Sequence, residues 1–292
     1  MTATTLRGAM PPLPELPNVS DVVRAFLPQG YAKLAQPLAS STITTDTHGL
    51  IAGEVQVQTM TGPVPAYRAL PDRGGKLPLV LVVQEIFGVH EHIKDVCRRL
   101  AKLGYFAIAP DLYHRQGDVT RFTDNQEIFA KVVNHVPDSQ VMSDLDAAVV
   151  YAAATGHADT AKLGITGFCW GGRITWTYCV HNPRVKAAVA WYGRLAAAQK
   201  APLQPAYPIE LAPYLKVPVL GLYGGADAGI PVEQVEQMRA ALKAAGNTSS
   251  DIVVYDGAPH AFYADYRPSY RKEAAEDGWQ RMQDWFRRHG VA

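Results

Sequence analysis

The run Gly164-Ile165-Thr166-Gly167-Phe168-Cys169-Trp170-Gly171-Gly172-Arg173 holds the sharpest chemical signal of the sequence. It reads Gly-x-Cys-x-Gly between a β-branched stretch and a stretch of helical spacing. In that setting a strained turn lifts a nucleophile above a sheet, and the flanking glycines permit the turn. A helix starting there supplies N–H groups and the positive end of its dipole, which favour a thiolate, and the amide of Trp170 is placed to receive a developing oxyanion. Cys169 is therefore the candidate nucleophile. The pentapeptide alone is a weak signal, and an inert buried cysteine in a tight turn would look the same, so partners decide. Asp227, in Tyr223-Gly224-Gly225-Ala226-Asp227, and His260, in Gly257-Ala258-Pro259-His260-Ala261-Phe262, follow in the order nucleophile, acid, histidine, each after an expected strand. In those places His260 pairs with the thiol and protonates the leaving group, while Asp227 fixes the tautomer and orientation of the imidazole.

Such a constellation needs a sheet whose strand ends converge. Leu79-Val80-Leu81-Val82-Val83 has no polar face, as expected of a parallel strand covered on both sides. Ahead of it, alternation through Glu54–Gln58 and Pro65–Leu70 around Thr61-Gly62-Pro63 predicts an antiparallel hairpin. Ile93, Val96, Cys97, Leu100 and Leu103 lie at helical spacing, with Gly104 as the stop and Cys97 in the core. Strands are expected at 105–109, 163–166, 185–191, 217–223 and 251–255, and helices at 143–154, 171–180, 232–245 and 271–289. This alternation predicts one α/β domain, a doubly wound and mostly parallel sheet with helices on both faces. Residues 1–45, broken by Pro11, Pro12, Pro14, Pro17, Pro28 and Pro37, read as an N-terminal extension ahead of a domain at 46–292, not as a signal peptide. The Pro-rich stretch 195–218 is expected to line a site.

Composition narrows the partners. With 28 Lys plus Arg against 27 Asp plus Glu, the formal charge is +1, which gives no electrostatic grip on nucleic acid or an anionic membrane. No apolar run approaches the ~20 residues of a membrane span. Three cysteines are too few and of the wrong parity for a disulfide scaffold, so free thiols and a cytoplasmic setting are expected. A small-molecule substrate, no cofactor, no metal, and a monomer or homodimer complete the expectation. Gly224-Gly225 lacks the form of a phosphate loop, and His90-Glu91-His92 is not His-Glu-x-x-His, its two histidines pointing to different sides of a helix.

Four segments together resemble dienelactone hydrolase (carboxymethylenebutenolidase): Gly167-Phe168-Cys169-Trp170-Gly171-Gly172, Gln84-Glu85-Ile86-Phe87-Gly88-Val89, Pro110-Asp111-Leu112-Tyr113, and Gly257 to Phe262. The resemblance runs from about Val55 to the C-terminus. It implies the α/β-hydrolase fold and cleavage of a lactone or small ester through an acyl-cysteine, without a cofactor. It also implies that Glu85 accepts a hydrogen bond from the resting thiol of Cys169 and takes its proton once substrate binds, and that the amide of Ile86 is the second oxyanion donor. The family pattern carries two arginines for a substrate carboxylate, and here both depart. One appears as Arg267, three positions late, either curling back into the site or lying on the surface before Pro268. For the other, the region Asn125–Ile128 has no arginine, leaving Arg121 or Arg115 as substitutes. Tyr192, after the strand ending at Trp191, lines the pocket or serves packing. Two rivals stand beside the lactone reading: a broad thiol-dependent carboxylesterase or thioesterase that does not act on dienelactone, and a non-catalytic binding protein on the same scaffold.

Overall fold

The computed structural model describes Leu38 and residues 40–292, and the reading of the earlier residues as an extension lies largely outside that range. Strands β1 (Leu50–Thr59) and β2 (Gly62–Pro71) form the hairpin. Its turn is Met60-Thr61, a residue ahead of expectation, because the Thr59 hydroxyl closes it by donating to the Gly62 carbonyl at 2.6 Å. Then come β3 (Leu77–Val83), α1 (Glu91–Lys102), β4 (Phe106–Pro110), α2 (Asn125–Lys131), α3 (Asp138–Ala154), β5 (Ala158–Phe168) and α4 (Trp170–His181). The chain ends with β6 (Ala187–Trp191), the single-turn α5 (Pro208–Leu211), β7 (Val219–Gly224), α6 (Val232–Ala244), β8 (Asp251–Tyr255) and α7 (Lys272–Arg288).

These strands make one eight-stranded sheet in the order β1-β2-β4-β3-β5-β6-β7-β8. The β1–β2 and β2–β4 pairs are antiparallel and the rest parallel. Leu79 to Val83 are wholly buried, as their unbroken apolar run requires, and Cys97 sits in the same core. Strand β5 is longer than its apolar run because its polar start, Ala158-Asp159, pairs with Leu77-Pro78 across a register shift. Helix α3 begins ahead of the expected Ser143, behind Pro137 in extended conformation. The described residues before the hairpin lie against the domain: Ser41 Oγ donates to the Asp265 carbonyl and Thr45 N–H to the Asp95 carboxylate, each at 2.6 Å. Among the described residues no helix is long and apolar enough to cross a membrane.

The chain runs from β3 to β4 on one side and returns to β5 on the other. That reversal opens a crevice at the carboxyl ends of the strands. Helix α4 starts over it, pressed against the sheet. A Cβ on Gly171 would meet the Gln84 carbonyl oxygen at 2.5 Å, and one on Gly172 the Trp191 carbonyl oxygen at 2.5 Å. Neither backbone can yield without moving a central strand. Gly172→Ala is therefore expected to lower the urea unfolding free energy by about 3 kcal/mol, the upper end of overpacking costs. A loss below about 1 kcal/mol would show that the helix is free to lift off the strand ends.

Candidate active site

Cys169 stands between the last residue of β5 and the first of α4 at φ 56°, the strained backbone of the expected turn. The turn is held on both sides. Its N–H donates to the Trp191 carbonyl at 3.0 Å, and its carbonyl accepts from the Gly172 N–H at 3.0 Å. A Cβ on Gly167 would meet the Gly171 carbonyl oxygen at 2.3 Å, so the glycines on both sides of Cys169 are required by space. The thiol is half-buried, whereas Cys97 and Cys179 are buried, and all three are free.

His260 and Asp227 come from the loops after β8 and β7. His260 Nδ1 lies 2.7 Å from Asp227 Oδ2, with the His260 side chain 34% exposed and that of Asp227 almost wholly buried. The other oxygen of Asp227 accepts from the amides of Gly229 at 2.9 Å and Ile230 at 3.2 Å, so the turn before α6 aims the carboxylate at the ring. Burial works against the imidazolium. With Cys169 as the thiolate, its negative charge and the hydrogen bond to Asp227 outweigh it and raise His260 to about 10.

Glu85 follows β3 and is completely buried. Its Oε2 accepts from the Tyr266 hydroxyl at 2.6 Å and faces His90 Nε2 at 3.3 Å, while Arg267 stands 4.0 Å from Oε1. Burial alone would push this carboxyl up. The hydrogen bond to His90 and the charge of Arg267 overcome it and hold Glu85 below its ordinary value. The expected resting hydrogen bond from Cys169 to Glu85 is not among those formed by the described residues, because Tyr266 and His90 engage the carboxylate instead. His90 and His92 also depart from expectation. They do not point to opposite sides; their rings stack 6.1 Å apart, because His90 is the extended residue capping α1 and only His92 lies within the helix. Among the described residues no cluster suits a metal ion.

Cys169, His260, Asp227 and Glu85 all line one cavity of about 740 Å³, together with Ile86, Trp170, Tyr192 and Arg267. Tyr192 is at φ 37°, its ring 5.2 Å from that of His260 and its buried hydroxyl without a hydrogen-bond partner among the described residues. Arg267 curls inward over the Phe87 ring at 5.7 Å. Arg115 does not reach the cavity. Both oxygens of Asp144 hold its guanidinium, at 2.7 and 3.0 Å, and Thr59 Oγ1 accepts from it at 2.7 Å. Arg121 is a surface residue paired with Asp118. The arginine that sequence reasoning passed over is Arg194, which lines the cavity. Its position two residues beyond Tyr192, at the carboxyl end of β6, was the available signal. The stretch 195–218 lines the cavity as expected, through Gln199, Lys200, Ala201, Gln204 and Tyr207.

The family model described as "Dienelactone hydrolase family" matches residues 64–290. The chain belongs to that family. A relative in Methylorubrum extorquens is 64% identical over 272 residues, 93% of each chain, and one in Escherichia coli K12 is 53% identical over 262 residues, 89% of this chain and 96% of the relative. Both carry the name "Putative carboxymethylenebutenolidase". A crystal structure from Klebsiella pneumoniae, described as a "Putative Dienelactone Hydrolase", is 56% identical, superposes with a TM-score of 0.79, and covers 82% of this chain and 98% of its own. The sheet described above is thus the α/β-hydrolase fold of the dienelactone hydrolase family.

The raised pKa of His260 has a measurable consequence for this family member. In nuclear magnetic resonance the His260 ring is expected to keep both protons well above its ordinary 6.5 and to lose one near pH 10. Since the folded value lies above the unfolded one, the linked stability is fully present below pH 6.5 and fades as the pH rises through about 10. Asp227→Asn should bring the midpoint down. An unmoved midpoint would show that the 2.7 Å contact does not set the charge of the ring.

Proposed function

We propose that the protein hydrolyses a lactone or small carboxylic ester through an acyl-cysteine intermediate. The observation that carries the reading is the His260–Asp227 pair at 2.7 Å opening onto the same cavity as a cysteine on a strained strand-to-helix turn. In this scheme the thiolate of Cys169 attacks the carbonyl carbon, and the negative charge moves to the carbonyl oxygen beside the amides of Ile86 and Trp170. The Trp170 amide is the first of α4 and lacks an intrahelical acceptor. Collapse breaks the C–O bond, and the departing alkoxide takes its proton from His260. A water molecule then attacks the thioester, gives a proton to His260 and releases the carboxylic acid with the thiolate restored. Nothing in these steps requires a cofactor.

Activation and substrate choice centre on Arg267. Its guanidinium sits by Glu85 Oε1, a buried oxygen without a hydrogen-bond partner among the described residues. A substrate carboxylate arriving at Arg267 competes with Glu85 and frees it to turn and take the thiol proton of Cys169. Arg194, at the exposed side of the same cavity, supplies the second arginine that α2 lacks. An anionic lactone of the dienelactone type fits this pair, and the free cysteines fit a cytoplasmic location.

The test is kcat/KM for cis- and trans-dienelactone beside p-nitrophenyl acetate. Cys169→Ala and His260→Ala are each expected to lower kcat by roughly 10³-fold or more with the circular dichroism spectrum unchanged. Arg267→Ala is expected to cost far more on dienelactone than on the neutral ester. Turnover surviving in Cys169→Ala overturns the nucleophile. Equal losses on the two substrates would remove the carboxylate role of Arg267 and favour a broad thiol-dependent esterase.

A further inference from the structure

The cavity is larger than the reacting centre needs. At about 740 Å³ it lies in the range that accommodates drug-sized ligands, well beyond a single lactone ring. The residues with proposed chemical roles come from the loops after β3, β5, β7 and β8. A second set of lining residues comes from elements that supply none of them: Asn125, Phe129 and Val133 from α2 and the turn after it, and Gln204 and Tyr207 from the loop before α5.

These two walls are fastened together. Gln204 Nε2 donates to the Val133 carbonyl at 2.7 Å and the Asp138 N–H to the Leu203 carbonyl at 3.0 Å. Arg173 grips both oxygens of Asp138, at 2.8 and 2.6 Å, and the Ala206 carbonyl at 2.7 Å. The space between them is therefore built, not a gap that side chains close. Two of its cations are spoken for, Lys200 by Glu210 at 2.5 Å and Arg173 by Asp138, and Arg194 stands at the exposed side. Phe129, which lines the cavity, remains 38% exposed, although large apolar side chains gain by burial. Asn125 Oδ1, on the same wall as Phe129, is buried and has no hydrogen-bond partner among the described residues.

We propose that the natural substrate extends past its scissile ester into this lobe with an apolar group of aromatic or medium alkyl size, carrying a hydrogen-bond donor for Asn125. The proposal deepens the hydrolase reading above and rests on it. Phe129 is then a specificity-determining residue remote from the bond that breaks.

The experiment compares kcat/KM across two ester series, p-nitrophenyl acyl esters from acetate to octanoate and acetates of alcohols from ethanol to 2-phenylethanol. The wild type is expected to prefer a larger member over the smallest by at least tenfold in one series. Phe129→Ala should reduce that ratio at least fivefold, chiefly through KM, and Phe129→Leu should restore part of it. Preference for the smallest ester in both series, or a ratio unmoved by Phe129→Ala, overturns the proposal. The hydrolase reading is judged separately, by Cys169→Ala on the acetate, so either can fail without the other. Absence of turnover on every ester counts against both.

Discussion

The closeness of α4 to the strand ends is the constraint from which the site follows. Gly167, Gly171 and Gly172 let backbone meet backbone where any side chain would collide, with the Gly171 carbonyl, the Gln84 carbonyl and the Trp191 carbonyl respectively. This approach forces Cys169 to positive φ and leaves its side chain in the cavity instead of the core. The same contact sets the first amide of α4 beside the segment after β3, where Glu85 and Ile86 lie. Cys169, the start of α4 and the segment that carries Glu85 and Ile86 are thus brought together by one packing contact.

Charge is handled differently on the two sides of the thiol. On one, negative charge at Cys169 and the hydrogen bond to Asp227, itself immobilised by the Gly229 and Ile230 amides, raise His260 above its ordinary value. On the other, Glu85 is buried deeper yet kept anionic by Tyr266, His90 and Arg267. Isolated buried carboxylates resist ionisation, so Glu85 is anionic only because of these neighbours, and anything that draws Arg267 away changes its proton affinity. Substrate recognition and nucleophile activation are coupled in the proposed scheme through that one guanidinium. The stacked His90 and His92 and the Asp265–Arg99 pair at 2.5 Å form the polar ground behind it.

The parts of this arrangement legible in the sequence are those with local causes. Unbroken β-branched runs marked the central strands, because both faces of β3 are buried. The glycines around Cys169 announced the turn, because only glycine fits there, and Asp227 and His260 stood where strand ends must deliver them. Long-range side-chain pairing was not legible. Nothing local says that Arg115 is saturated by Asp144, or that Tyr266 reaches across the fold to Glu85 ahead of Cys169. The His90–His92 misreading has a local cause of another kind, since i, i+2 geometry holds inside a helix and His90 lies just outside one. Arg194 carries no local signal beyond its place just after β6, since what a loop at a strand end holds is free to change.

That freedom explains how the arginines depart from the family pattern without loss of the machinery. The elbow cannot vary, since each of its glycines is fixed by backbone contact. Loops after β6 and β8 carry no such restriction, and from them Arg194 lines the cavity and Arg267 reaches inward to Glu85. Charge therefore reaches the cavity on loops after β6 and β8, through Arg194 and Arg267, while α2 contributes Asn125 and Phe129.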